Sequence, residues 1–287
     1  MGHLNVGFYQ AKAMEALVGL AAELGMPHAF APHAEATLIV REQHIRFLRE
    51  AQVGARLHID AGVLEMGEDD ARILLLMRHD DGALAASFQL LVTHATAGEG
   101  RAFPWPIWAR QRAERLRIDL PEKAAPRSVT LGGLESSASL ERAQALGLKR
   151  IGLGAWRPGD VDPFGRMRAE LVMARISDSV AHLMGGVLAD MAGAAGRQPG
   201  AVILEYRLLY LDWPRMGDRW ELRSALTGGD ARLRRMVHWF FDPTAGRPFA
   251  AAEAVAAVFD PDARKMIALS DEELRIWARA SVEGLTI

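Results

Sequence analysis

The chain has 287 residues, half of them hydrophobic, with a formal net charge of −2 and a pI near 6.5. That length buries one large core or two domains of ordinary size, two being the better fit, and the near balance of charge leaves no footprint for general binding of nucleic acid or a membrane surface. The absence of cysteine excludes disulfides, thiolate metal sites and a cysteine nucleophile. No stretch reaches the roughly 18 apolar residues of a membrane span. No basic-then-apolar leader opens the chain, so a cytoplasmic protein is expected.

In chain order, an amphipathic helix is predicted from Val6 to Leu24, stopped by Gly25 and Pro27. Strands are predicted at Ala36–Phe47, Ala55–Met66, Ala71–His79 and Leu84–Thr93, divided by Gly54, by Gly67-Glu68-Asp69-Asp70 and by the hairpin signal Asp80-Asp81-Gly82. A short helix opened by Pro104 and Pro106 carries Ile107 to Leu116. After a linker expected at 126–144, Leu148–Trp156 reads as a strand and Arg168–Met191 as a second long helix. Further strands follow near Val202–Tyr210, Arg219–Leu226, Leu233–Phe241 and Phe249–Phe259, and the capping box Ser270-x-x-Glu273 starts a closing helix.

This order repeats. A shift of 163 places Gly2 on Gly165, Glu15 on Asp178, Glu42 on Glu205, Phe47 on Tyr210 and Arg56 on Arg219. It also superposes the apolar faces of the two long helices: Leu4, Phe8, Ala11, Leu17, Leu20 and Leu24 fall on Met167, Leu171, Ala174, Val180, Leu183 and Val187. Ile107-Trp108-Ala109-Arg110 recurs as Ile276-Trp277-Ala278-Arg279. The period far exceeds a solenoid repeat, so each copy is a domain, with boundaries expected at 1–125 and 145–287. A long helix followed by an antiparallel meander buries the helix against the face of a curled sheet. The fold class is therefore α+β, two tandem hotdog domains forming a pseudo-dimer. Under the shift Met1 corresponds to Phe164. The first copy's opening strand, with its following acid, would then precede residue 1: either the start is placed too late, the expected case because an unpaired central sheet edge invites aggregation, or the protein does without that strand.

Two segments carry a family resemblance. Gly2-His3-Leu4-Asn5-Val6-Gly7-Phe8-Tyr9, with Glu15 on the helix and Arg46–Gly54 beyond, resembles the 4-hydroxybenzoyl-CoA thioesterase-like branch of the hotdog superfamily, and Asp162-Pro163-Phe164-Gly165-Arg166-Met167 is similar to the Asp-x-x-Gly turn of the same family. The resemblance implies two hotdogs side by side with acyl-thioester sites at their interface, coenzyme A belonging to the substrate rather than acting as a cofactor. Thioester hydrolysis needs a carboxylate to attack the carbonyl or activate water, and donors for the oxyanion, which helix N-terminal amides provide.

The candidate catalytic acids are Asp162, ahead of the second helix, and the equivalent mid-helix pair Glu15 and Asp178; Asp160 fits the motif's spacing less well. His3, Asn5, Gly165 and Arg166 are the candidate substrate-binding residues. Two unlike sites result, one around Asp162 and Arg166, the other around His3, Asn5 and Glu15. Asp162 also reads as a turn or capping carboxylate, and His3 with Asn5 as helix caps. Arg46, Arg49, Arg166 and Arg168 are candidates for the phosphates of coenzyme A, His182 is expected to pack internally, Trp105, Trp108 and Trp277 are expected in the core or an interface, and Arg232, Arg234 and Arg235 on a solvated strand face. His28 and His33 read as a loop, not a metal site. The Asp-x-Asn-Pro-x-His run of hotdog hydratases and the Gly-x-Ser-x-Gly elbow of serine hydrolases are absent. Because neither copy holds the whole motif, a non-catalytic acyl-CoA or acyl-carrier binding module is the competing reading. The carrier, the acyl group and pairing into a homodimer stay open.

Overall fold

A computed structural model describes Gly2 and residues 4–195, 200–260 and 265–287. The first copy contains α1 (Val6–Glu23), β1 (Ala36–Phe47), β2 (Leu57–Met66), β3 (Asp70–His79), β4 (Leu84–Thr96) and α2 (Ile107–Arg115). A short α3 (Leu140–Ala145) spans the end of the expected linker. The second copy contains β5 (Lys149–Ala155), α4 (Glu170–Ala195), β6 (Gly200–Tyr210), β7 (Arg219–Gly229), β8 (Leu233–Phe241), β9 (Pro248–Asp260), β10 (Lys265–Met266) and α5 (Asp271–Ala280). All but β10 join one antiparallel sheet in the order β2-β3-β4-β1-β6-β9-β8-β7-β5, with β10 on β9.

The helix ends that carry local signals are capped as their chemistry dictates. Gly25, at φ +92, ends α1 with paired bonds from Gly25 N to Ala22 O and from Met26 N to Ala21 O, the left-handed cap that glycine adopts without cost. A Cβ there would also lie 2.7 Å from the Trp108 ring. Ser270 and Glu273 cap the start of α5 reciprocally.

One interface joins the copies. β1 and β6 pair antiparallel with Glu42 opposite Leu209, His44 opposite Arg207 and Arg46 opposite Glu205. Since Arg207 is the 163-shifted counterpart of His44, the pseudo-twofold axis passes through that pair, and both strands bulge at the same place, between Val40 and Glu42 and between Ile203 and Glu205. A buried ion pair and a buried hydrogen bond cross the axis: Arg207 Nε donates to Glu42 Oε1 and His44 Nε2 meets Glu205 Oε1, each at 2.7 Å. Arg72 adds a second guanidinium to Glu42, and the Arg127 and Ser128 amides donate to Glu205. Burial alone would raise the Glu205 pKa, but His44 and these amides outweigh it and hold the carboxyl below its usual range. The linker therefore lies across the junction as part of its hydrogen bonding, since Gly133 O also accepts from Arg207.

On the opposite face α1 and α4 lie side by side. α1 buries Tyr9, Ala13, Leu17, Leu20 and Ala21, and α4 buries Val172, Met173, Ile176, Leu183 and Met191. A leucine or isoleucine moved from water into this shared core contributes about 1.5–3 kcal/mol. α4 meets the length and composition of a membrane-crossing helix, which the sequence reading did not anticipate, yet its apolar face is the one the second half of the sheet wraps. The sequence reading also needs correcting at the sheet edge. β5 ends the sheet beside β7, so this strand's place is an outer edge and not the centre. In the described residues the outer side of β2 carries the parallel bridge of Val63 with Arg117, matching that of Leu226 with Ser281 on β7.

Candidate functional site

A cavity of about 140 Å3 opens between the copies, lined by Met14, Leu17 and Val18 of α1, Phe30 of the following loop, Leu38, Ile39 and Val40 of β1, Trp213, and the segment from Asp162 to Glu170 that leads into α4. The first copy thus supplies an apolar wall and the second a polar one.

The polar wall is built from a short hairpin. Asp162 N donates to Arg166 O, Gly165 N donates to Asp162 O, and Gly165 takes φ +79, which glycine alone adopts freely. Asp162 closes this turn with its side chain: Oδ1 accepts from the amides of Phe164 (2.8 Å) and Arg166 (2.9 Å), and Oδ2 from Arg166 Nε (3.1 Å). Its carboxylate is therefore engaged by three donors, the arrangement expected of a turn acid. Arg166 is buried, packs its guanidinium over the Phe164 ring, and keeps Nη1 without a hydrogen-bond partner among the described residues. A buried unpaired donor costs about 1–3 kcal/mol, more when charged.

The amides that follow sort themselves by partner. Met167 N donates to Pro214 O, Arg168 N to Asp160 O, Leu171 N to Arg168 O and Val172 N to Ala169 O. The amides of Ala169 and Glu170, both on the cavity wall, are left without such a bond among the described residues. Tyr210 fixes this corner: its hydroxyl lies 2.9 Å from both Ala169 O and Gln43 Oε1 and accepts from Gln10 Nε2 at 3.1 Å. Burial pushes its pKa far up, a Gln10 hydrogen bond opposes this and the Glu170 charge adds to it, so the hydroxyl stays protonated and able to donate.

The match to known proteins covers both halves. The model of the thioesterase-like superfamily matches residues 1–113 and 156–277, most of each copy. The chain belongs to the thioesterase-like superfamily. That membership carries the enzyme class expected from the sequence, thioester hydrolysis. Among solved structures, the 12:0-ACP thioesterase from Umbellularia californica aligns over 90% of this chain and 88% of its own at 14% identity, with a TM-score of 0.66. An oleoyl thioesterase from Lactobacillus plantarum aligns over 90% and 91% at 11% identity, TM-score 0.66, and an acyl-ACP thioesterase from Bacteroides thetaiotaomicron over 89% and 90% at 9%, TM-score 0.60. At these identities the likeness is one of fold. No curated protein sequence matches the chain.

Within this thioesterase-like chain the structure brings together Asp162, Gly165 and Arg166 at one wall. It separates the rest. Glu15, its side chain 64% exposed, pairs with Lys12, and Asp178, 66% exposed, pairs with Arg175; each acid points to solvent because the helix turns it away from the face that Met14 and Leu17 present inward. Asn5 caps α1 by accepting from Gly7 N at 2.9 Å and reaches Ser177 Oγ at 3.3 Å. His3 lies outside the described residues. Asp160 is buried and pairs with Arg175 and Arg157. Of the four arginines proposed for phosphate, Arg46 donates to Ala125 O just before the linker and Arg49 pairs with Asp81 at the surface, so only Arg166 and Arg168 border the cavity.

Three further expectations change. His182 is exposed rather than packed. Arg234 is buried over the Trp277 ring, unlike a residue of a solvated strand face. Trp108 is half exposed, whereas Trp105 and Trp277 are in the core. Sequence reasoning missed Glu170 altogether. Its only signal there was an acid in the first turn of a helix, which reads as complementing the macrodipole.

Proposed function

We propose that this protein hydrolyses an acyl thioester in the cavity between its two hotdogs, and that it falls in the 4-hydroxybenzoyl-CoA thioesterase-like branch, whose motif Gly2–Tyr9 resembles. The observation that carries the proposal is the division of the cavity into an apolar wall from one copy and a polar wall from the other, in a chain whose superfamily acts on thioesters. The acyl chain lies along Met14, Leu17, Val18, Phe30, Leu38 and Val40. Its thioester carbonyl faces the amides of Ala169 and Glu170, donors aimed at the oxygen where negative charge develops, with the buried Arg166 charge on the same wall. Two carboxylates border this wall, Asp162 and Glu170, for activating water. The reaction draws on side chains and amides alone.

The similar folds named for acyl-ACP substrates support an acyl carrier protein as well as coenzyme A as carrier. Thiol release from a panel of acyl-CoA and acyl-carrier-protein thioesters, of four to sixteen carbons, tests the proposal. Turnover with a preference for chains short enough for the cavity is expected. The engagement of Asp162 by its own turn favours a second reading, a binding module, and saturable acyl-CoA binding without release of thiol would establish it instead.

A further inference from the structure

We infer that Glu170, rather than the motif acid Asp162, is the carboxylate that activates water. The inference rests on the hydrolase reading of the cavity and assigns its central group.

The two acids border the same cavity but differ in what they have left to give. Asp162 has both oxygens occupied, Oδ1 by two amides and Oδ2 by Arg166 Nε. Glu170 is paired on one oxygen only: Arg168 Nε, at 2.7 Å, and Nη2, at 2.6 Å, both meet Oε1. Its Oε2 has no hydrogen-bond partner among the described residues. The side chain is only 13% exposed. Arg168 is in turn tied to Gly159 O at 3.1 Å, so the guanidinium holds the carboxylate in a fixed orientation with one oxygen open, the geometry a general base requires.

Three further features converge on this residue. The Glu170 and Ala169 amides, free of bonds to the described residues, sit at the base of the same side chain, so oxyanion donors and carboxylate come from one stretch of backbone. Arg166 lines the same wall and brings a buried positive charge to it. The Tyr210 hydroxyl holds Ala169 O and so fixes the start of α4. In the step that results, Glu170 Oε2 takes a proton from water as the water oxygen bonds to the thioester carbon. The oxyanion forms against the amides and Arg166. The carbon–sulfur bond then breaks, the sulfur leaves as thiolate, and Glu170 returns the proton to it, giving a carboxylic acid and a thiol. Asp162 is a positioning residue, since through its turn it sets Arg166.

Steady-state kinetics of Glu170→Gln, Glu170→Asp and Asp162→Asn, with thermal unfolding of each, test the assignment. Glu170→Gln keeps the side chain's size and should lower kcat about 100-fold or more with KM within about threefold, the range general-base removal produces. It should also lose the acidic limb of the kcat/KM profile, which Glu170→Asp retains. Asp162→Asn preserves the acceptor for both turn amides and should cost less than about tenfold. A Glu170→Gln variant within tenfold of wild type, or one that keeps the acidic limb, overturns the assignment while wild-type turnover upholds the hydrolase reading. Absence of wild-type turnover on every thioester overturns both.

Discussion

The two copies share a fold and differ at the wall each helix presents to its neighbour. Under the 163-residue shift Glu170 corresponds to Gly7 and Arg168 to Asn5, so the charged wall of the second copy faces a first-copy counterpart that carries no carboxylate. The apolar side diverges in step. Leu38, Ile39 and Val40 are buried in β1, whereas their counterparts Ala201 and Val202 are exposed in β6 and Ile203 is only partly covered. The cause is local: α1 stops at Glu23, and the chain after Gly25 folds back to place Phe30 over the cavity, whereas α4 runs on to Ala195. A duplicated pair of hotdogs offers two interface sites by symmetry, and among the described residues the early end of α1 encloses one of them. The charged residues of the cavity wall come from one side of the pseudo-axis, while the junction itself stays nearly symmetric.

The largest effects should come from the symmetric part. Glu42→Ala leaves the Arg207 and Arg72 guanidinium groups facing a space that no longer holds an anion, and should cost about 3–5 kcal/mol in urea unfolding, as breaking buried pairs does. Glu205→Ala strands His44 and two linker amides and should cost somewhat less. A cost near zero for both would mean that the copies are held by strand pairing alone.

A smaller effect separates the halves by pH. His238, buried beneath α4, has Nδ1 hydrogen-bonded with Ser224 Oγ at 2.7 Å, and burial drives its pKa down to about 3. Because the unfolded histidine binds its proton near 6.5 and the folded one does not, stability should fall as pH drops through that window, by up to about 1.4 kcal/mol per unit. The first copy has Ala61 and Leu75 at these positions. The double variant Ser224→Ala, His238→Leu recreates that apolar pair and should flatten this part of the stability curve between pH 6.5 and 3. An unchanged slope would place the proton uptake elsewhere.

Much of this was legible in the sequence, for identifiable reasons. The strand limits and both long helices follow from apolar periodicity and from Gly25, Pro27 and the Ser270 capping box, which act locally. The repeat was readable because Glu42 and Glu205, at the junction, keep equivalent partners. Where a helical residue points was not readable: Glu15, Asp178 and His182 share helices with core residues, and only the packing of α1 against α4 decides which flank meets water. Glu170 was hidden because its place on the cavity wall depends on the hairpin around Gly165 and on Arg168 holding one of its oxygens. α3 was too short for periodicity to reveal.

The smallest effect concerns the motif that looks best in the sequence. Asn5→Ala removes the α1 cap and should cost about 1 kcal/mol of stability with thioester turnover within about twofold of wild type. A tenfold loss of turnover at unchanged stability would restore the first copy's turn as a site.

The central claim, that a single wall works, is tested most directly by filling each side of the pseudo-axis in turn and measuring thioester turnover across chain lengths. Val18 lines the cavity, and its counterpart Ala181 is exposed on α4. Val18→Trp should lower turnover of the preferred thioester by about tenfold or more and shift preference to shorter chains, with Ala181→Trp within about twofold of wild type. Equal losses from the two substitutions, or loss from Ala181→Trp alone, would contradict the account.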